Sequence, residues 1–177
     1  GGKLKANAAD CYYLKNSLYK KIQYDLRKDW RWSDGSPVTA QEVRSGFAYL
    51  FQQKSIHMQD LLNIKKGPAG VIVKNLSELQ IELEKTDSEF LYKLINPAIS
   101  PRKNSKNWNE KITPGPYYVT ERKIQSITKL KSNPHYFIAA QRPDIEVIVV
   151  ENDQTALNLF ESGQLNFLRR MTIDNYH

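Results

Sequence analysis

Residues 24–43 read YDLRKDWRWSDGSPVTAQEV and hold, in succession, the signals of a strand, a tight turn and a helix start. The strand signal begins upstream, over 18–26, where alternate positions form one side: Leu18, Lys20, Ile22, Tyr24 and Leu26. Such alternation predicts a strand with one largely buried face. Residues 33–37, SDGSP, predict a turn because aspartate, glycine and proline each favour turn conformations. We therefore expect a strand that turns sharply into a helix.

Two segments have the pattern of a capping box, in which a threonine and a glutamate three residues later satisfy each other's free amides. The first is Thr39–Glu42, and it predicts a helix that ends near Gln53. The stripe expected to face the core of that helix is Val43, Phe47, Leu50 and Phe51. The second is Thr86–Glu89, and its helix should end at Pro97 and Pro101. Its expected inward residues are Phe90, Leu91, Leu94 and Ile95.

The rest of the chain predicts short strands with helices between them. We expect a short helix over 58–64, a hairpin over 71–83 with its turn at 75–77, and strands at 117–120 and 126–131. The apolar run 145–150, IEVIVV, predicts a strand in the centre of its sheet. Asn152 or Asp153 should cap a helix that ends before Gly163, and a last strand is expected over 165–171. The fold class is therefore mixed α/β (α+β), with mostly antiparallel strands and flanking helices.

Composition excludes several classes of protein. The chain has 177 residues, of which 40% are hydrophobic and 25% charged, so it is not a disordered chain. Its apolar runs, such as 71–73 and 147–150, are far too short to span a membrane. A single cysteine, Cys11, excludes an internal disulfide framework and a cysteine-rich zinc site. The first twenty residues contain no continuous apolar segment of the kind found in a signal peptide.

The net charge of +7 raises the question of nucleic-acid binding. The basic residues are scattered as pairs, such as Lys20-Lys21 and Arg169-Arg170, and no run exceeds two. This distribution favours an ordinary solvated basic surface, and we expect no nucleic-acid partner. A phosphate-binding surface assembled in three dimensions remains an alternative.

No combination of residues points to catalysis. The nucleophile-elbow, phosphate-loop, dinucleotide and zinc-helix patterns are missing, and the histidines, His57, His135 and His177, are far apart in sequence. Asp34 follows Trp32 closely and could be a carboxylate with a raised pKa, but a turn-stabilising role for its side chain is favoured. We expect no enzymatic activity, no cofactor and no metal.

Three stretches together resemble the extracytoplasmic solute-binding proteins of peptide-type ABC transporters, the oligopeptide- and dipeptide-binding family 5. The first is the 24–43 segment, with its Trp-Ser-Asp-Gly turn and Pro-Val-Thr-Ala helix start. The second is Gly-Pro-Tyr-Tyr-Val at 115–119, followed by Asn-Pro-His-Tyr-Phe at 133–137. The third runs from the 145–150 strand to Ser-Gly-Gln-Leu-Asn at 162–166, where Asn166 stands in place of the usual aspartate.

This resemblance implies a lobe like that of periplasmic binding proteins, present as a partial first lobe. Residues 1–112 would form the smaller subdomain of that lobe, and residues 113–177 part of its main sheet. It implies a peptide ligand, an ABC transporter permease as partner, and a periplasmic or other extracytoplasmic location. His57 and Met58 follow the first helix, where side chains facing the ligand could lie, and they are the candidate ligand-binding residues.

A different class of function is kept as an alternative. The chain could be a stand-alone interaction module that reuses this lobe and does not itself bind substrate. Apolar surface that a second lobe would otherwise cover would then bind a partner or associate with itself.

Overall fold

The computed structural model describes residues 4–5, 9–52, 63–103 and 112–169, with the backbone alone for residues 4–5. Its contacts divide the chain into two units. The first comprises residues 1–116 and 133–140, and the second comprises residues 117–132 and 141–177. The assignment of residues 1–112 and 113–177 to two parts of one lobe stays a prediction.

The first unit contains a five-stranded antiparallel sheet in the order β1-β2-β3-β5-β4. Its strands are β1 (Leu4–Lys5), β2 (Ala9–Tyr13), β3 (Lys21–Leu26), β4 (Val71–Val73) and β5 (Glu78–Glu82). The register aligns Cys11 with Tyr24 and Tyr24 with Leu79, so one face carries a continuous apolar surface. The hairpin expected over 71–83 is confirmed as β4 and β5.

The strand expected over 18–26 begins later than predicted. β3 starts at Lys21, and Leu18 is 75% exposed with a left-handed φ of 50°. Asn16 and Tyr19 have positive φ values as well. Residues 14–20 form the turn that joins β2 to β3, and the apparent alternation continues into it by chance.

Helix α1 (Ala40–Gln52) supports the apolar face of the sheet. Val43, Phe47 and Leu50 are buried on it, and Phe51 packs against the core, so the predicted stripe is confirmed. A 3-10 helix over Gly67–Gly70 and another over Pro97–Ile99 also contact α1. The helix expected over 58–64 lies outside the described residues except at its end, where Ile64 forms a bridge with Leu83.

The second predicted capping box does not form. Glu89 precedes helix α2 (Phe90–Lys93) without a side-chain hydrogen bond to it, and the helix is only four residues long. Asp87 instead forms a turn just before the helix, in which its Oδ1 accepts from the Glu89 amide at 3.0 Å. Phe90 and Leu91 are buried as expected, whereas Ile95 is 74% exposed because the helix has ended before it.

The second unit contains a three-stranded antiparallel sheet in the order β6-β7-β8. Its strands are β6 (Tyr117–Lys123), β7 (Ile127–Ser132) and β8 (Ile145–Ile148), and a bulge interrupts β6 between Val119 and Glu121. Helix α3 (Asp153–Glu161) comes after them. The Asn152 side chain accepts from the Thr155 amide at 2.8 Å, and Gly163 has a φ of 75° past the helix end. The predicted hairpin and cap are confirmed.

Two expectations for this unit are wrong. Among the described residues, β8 lies at the edge of its sheet rather than in its centre, and Val147 and Ile148 are 48% and 43% exposed. Of the strand expected over 165–171, the described residues 165–169 form no strand, because the Leu165 amide turns back to the Leu159 carbonyl at 3.1 Å, and residues 170–171 lie outside the described residues. Apolar composition predicted both strands, but pairing partners are not visible in the local sequence.

The contrast between the two predicted capping boxes gives a test of stability. We expect Glu42→Ala to lower the free energy of unfolding by about 2 to 3 kcal/mol, because it leaves buried donors without an acceptor. The matched substitution Glu89→Ala should cost less than about 0.5 kcal/mol, since this exposed side chain caps nothing. Urea unfolding followed by tryptophan fluorescence measures both, and equal losses would contradict the assignment.

Candidate functional site

The structure does not place the predicted ligand-binding residues. His57 and Met58 lie outside the described residues, as does His177. His135 is described, and its imidazole Nε2 lies 3.2 Å from the position that a Cβ on Gly35 would occupy. This contact gives His135 a packing role against the turn at 33–37.

The side chain of Asp34 stabilises that turn. Its Oδ1 accepts from the Ser36 amide at 3.0 Å and from the Ser36 hydroxyl at 2.6 Å. Lys103 donates to Oδ2 of the same carboxylate. These bonds, first the one from Lys103 and then those from Ser36, lower the pKa of Asp34 to about 2. The favoured interpretation of Asp34 is therefore confirmed, and its pKa is lowered rather than raised.

A buried carboxylate links the turn to helix α1. Oε2 of Glu42 accepts from the Trp32 indole nitrogen at 3.1 Å, from the Thr39 amide at 2.8 Å and from the Thr39 hydroxyl at 3.0 Å. Trp32 is fully buried. The predicted capping box at 39–42 is thus present, and it also satisfies an indole that no sequence pattern connected with it.

The 133–137 segment packs against the same region. The buried Asn133 donates through its side-chain amide to the Gly115 carbonyl at 2.9 Å and accepts from the His135 amide at 2.9 Å. The guanidinium of Arg27 lies 4.6 Å above the Phe137 ring. Residues that carry the first two parts of the resemblance therefore meet in the first unit, where their contacts are structural.

A cavity of about 300 Å³ lies beside this scaffold, in the first unit. Trp32 lines it, and its remaining walls are formed by α1, which contributes Leu50, by residues 97–102 and by residues 112–114. Most of the lining side chains are apolar or aromatic. Arg102 is the cationic residue among them, and its ζ carbon lies 3.2 Å from the centroid of the Tyr49 ring.

Sequence reasoning missed this cavity. Arg102 and Lys103 belong to a polar stretch that predicts only a loop, yet the structure places Arg102 on Tyr49 and Lys103 on Asp34. Helix α1 and residues 97–102 are more than forty positions apart in sequence, so no local pattern could connect these walls. The abundance of proline at 97, 101 and 114 was a weak signal of rigid walls.

Metal and thiol chemistry find no support in the described part of the chain. There, no group of three or more His, Cys, Asp or Glu side chains is arranged to hold a metal ion. Cys11 is buried in β2, and burial raises the pKa of its thiol to about 12. None of the helices in the described ranges has the length and apolar character needed to cross a membrane.

The ion pair of Asp34 gives a prediction on pH. Because the pKa of Asp34 is about 2 in the folded protein and 3.8 ordinarily, its stabilising effect is present above pH 4 and is lost as pH falls toward 2. We expect Asp34→Asn to destabilise the protein at pH 6 by at most about 1 kcal/mol, since solvent screens the pair.

Urea unfolding curves measure the difference in unfolding free energy between the wild-type protein and Asp34→Asn. We expect this difference to shrink as pH falls below about 4. The matched background is Lys103→Gln, in which Asp34→Asn should have little effect at any of these pH values. If Asp34→Asn destabilises the Lys103→Gln protein as much as it destabilises the wild-type protein, Lys103 is not the partner through which Asp34 stabilises the fold.

The chain is similar to known proteins in sequence and in structure. A family model described as "Bacterial extracellular solute-binding proteins, family 5 Middle" matches residues 15–177. The periplasmic oligopeptide-binding protein OppA of Salmonella typhimurium is 25% identical, over 91% of this chain and 34% of its own length. The dipeptide-binding protein DppE of Bacillus subtilis is 26% identical, over 83% of this chain and 32% of its own length.

Among solved structures, the substrate-binding domain of an oligopeptide ABC transporter from Bacillus anthracis superposes with a TM-score of 0.79. It is 26% identical, over 92% of this chain and 36% of that chain. The chain thus spans about a third of the length of the relatives it matches.

These matches confirm the predicted fold class, a mixed α+β lobe like that of periplasmic binding proteins. The matching family consists of transport binding proteins and not of enzymes, in agreement with the expectation from the sequence. Because the family model covers residues 15–177, nearly the whole chain, the chain belongs to the bacterial extracellular solute-binding proteins of family 5.

Proposed function

We propose that this chain is part of the peptide-binding component of an ABC uptake transporter, acting outside the cytoplasmic membrane. One observation carries the proposal: nearly the whole chain matches, in sequence and in fold, the substrate-binding domain of an oligopeptide ABC transporter. The oligopeptide- and dipeptide-binding relatives support peptides, or related small solutes, as the ligand class.

The mechanism would be capture and delivery without a chemical step. A peptide would bind in a cleft between two lobes, which close on it, and a membrane permease would then receive it. The chain spans about a third of the relatives, so we propose that it provides one partial lobe and only part of the cleft. A cleft lined from one side buries less of its ligand, and most of the affinity should be lost.

The described scaffold suits a lobe that must hold its shape while another moves. The turn at 33–37 is fixed from several directions: Ser33 exchanges hydrogen bonds with Thr113, and Asp34 pairs with Lys103. On the helix side, the Glu42 carboxylate joins Trp32 to the start of α1. Such cross-bracing supports rigid-body closure, since the strain of binding would then fall on connections between lobes rather than within this one.

Calorimetry with a mixed library of short peptides tests the proposal. We expect little or no heat with this chain, and clear binding by a polypeptide in which it is continued to the length of its relatives. The matched control is the same titration with a mixture of free amino acids. Failure of the longer polypeptide to bind any peptide would contradict peptide uptake as the function.

A second candidate is an interaction module, and the surface of β8 favours it. Val147 and Ile148 project to opposite faces of this edge strand, and both are substantially exposed, as is Val149 beyond it. An edge strand offers unpaired backbone groups as well as apolar side chains. We propose a second copy of this chain as the occupant, because two β8 strands can pair antiparallel about a two-fold axis, each supplying the same surface.

Light scattering across a range of concentrations tests self-association. In this second candidate function the chain is dimeric, and Val147→Lys shifts it toward the monomer because a charge on an edge strand opposes strand pairing. The matched control is Leu76→Lys in the first unit, where the leucine is 79% exposed and lies outside β8. If the chain is a monomer at every concentration, the self-associating interaction module is contradicted.

A further inference from the structure

The turn between β2 and β3, residues 14–20, holds an exposed leucine in a strained backbone conformation. Leu18 has a φ of 50° and is 75% exposed, and the neighbouring Tyr19 has a φ of 57°. Bulky residues are sterically disfavoured in this left-handed region, whereas glycine and asparagine adopt it readily. Exposure alone does not distinguish Leu18, since Leu76 in the β4–β5 turn is 79% exposed without a positive φ. Backbone strain of this kind is concentrated at functional sites.

Contacts within the turn and with β2 fix this conformation. The Ser17 hydroxyl donates to the Leu14 carbonyl at 2.7 Å. The Tyr19 ring stands edge-on to the Tyr13 ring, with the two centroids 5.0 Å apart. The turn is therefore formed in the free protein, and it presents the Leu18 side chain to solvent at no further cost in order.

Lysines surround this exposed side chain. Lys21 pairs with Glu82 where β3 begins and β5 ends, so the segments 63–66 and 83–87 lie at the same end of the sheet as the turn. The exposed lysines at this end are Lys15, Lys20, Lys21, Lys65, Lys66 and Lys85. The acidic residues from 82 to 89 are Glu82, Glu84, Asp87 and Glu89. Two of these four carboxylates already have a lysine partner, Glu82 in Lys21 and Asp87 in Lys93, so the end as a whole is basic.

This combination fits the surface of an anionic bilayer. A leucine enters the boundary between headgroups and acyl chains, a tyrosine is favoured at the level of the headgroups, and lysines are attracted to anionic lipids. A specific protein partner would require about 800 Å² of buried surface on each side, far more than the side chains of Leu18 and Tyr19 supply. Shallow insertion into a bilayer requires only such a small apolar tip with basic residues around it.

We propose that the 14–20 turn docks the chain on an anionic lipid surface, with Leu18 inserted, Tyr19 among the headgroups and the surrounding lysines facing the lipid phosphates. Contact of this kind needs no membrane-spanning helix. The proposal does not rest on peptide binding, because all of the residues involved lie at one end of the sheet in the first unit.

Co-sedimentation of the purified chain with vesicles tests the proposal. The vesicles contain phosphatidylcholine alone, or phosphatidylcholine with about 30% phosphatidylglycerol, in about 0.1 M NaCl. We expect half of the chain to bind the phosphatidylglycerol vesicles at about 1 mM accessible lipid, and at least about tenfold weaker binding to phosphatidylcholine alone. Raising NaCl to about 0.5 M should release the bound chain, because salt screens the lysines.

Substitutions at Leu18 separate the apolar contact from the fold. Leu18→Asn removes the apolar side chain but suits the left-handed backbone, so it should weaken binding at least about tenfold and leave the urea unfolding curve unchanged. Leu18→Phe keeps an apolar side chain and should retain binding. The matched control is Leu76→Asn at the opposite end of the same sheet, which should bind like the wild-type protein.

A pair of lysine substitutions tests the charge. Lys15→Gln combined with Lys20→Gln should weaken binding at least about tenfold. Lys28→Gln combined with Lys74→Gln removes the same charge from two exposed lysines near the opposite end of the sheet and should have little effect. The proposal is overturned if the chain does not bind phosphatidylglycerol vesicles at about 10 mM lipid, if it binds phosphatidylcholine equally well, or if either test variant binds as tightly as its control.

Discussion

The Oε2 atom of Glu42 accepts three hydrogen bonds, from the Trp32 indole and from the amide and hydroxyl of Thr39. These donors come from the turn and from the helix start, which are consecutive in sequence but run in different directions. A buried carboxylate is costly unless its oxygens are paired, and here the pairing fixes the angle between the turn and α1. The packing of Val43 and Phe47 onto the sheet depends on that angle.

The turn itself is a meeting point for distant parts of the first unit. Ser33 bonds to Thr113, Asp34 to Lys103, and Gly35 contacts His135. Gly35 has a φ of 83°, a conformation that other residues adopt only with strain, and the imidazole leaves little room for a side chain there. A short segment with ordinary turn residues thereby contacts residues that lie up to a hundred positions away in sequence.

The sequence predicted those elements whose causes are local. The capping box at 39–42, the β4–β5 hairpin, the Asx turn at Asp34 and the Asn152 cap each depend on residues within a few positions of one another. It failed at residues 86–89, which fit the capping-box pattern, because the Asp87 side chain forms a turn with the Glu89 amide and Glu89 caps nothing. It failed again for β8, because the same apolar run suits a central strand and an edge strand alike.

The candidate binding features show the same division between local and distant causes. Nothing in residues 97–103 distinguishes the wall of a cavity from a loop, and Arg102 contacts Tyr49 only because the fold brings α1 beside it. The side chains of the motifs that identify the family make structural contacts: Trp32 is buried, Asp34 is paired with Lys103, and His135 packs against the turn. Residues already committed to structure in this way are poorly placed to contact a ligand. The motifs therefore identify the scaffold, whereas the residues that bind a ligand must be sought outside the motifs, on the surfaces that the scaffold supports.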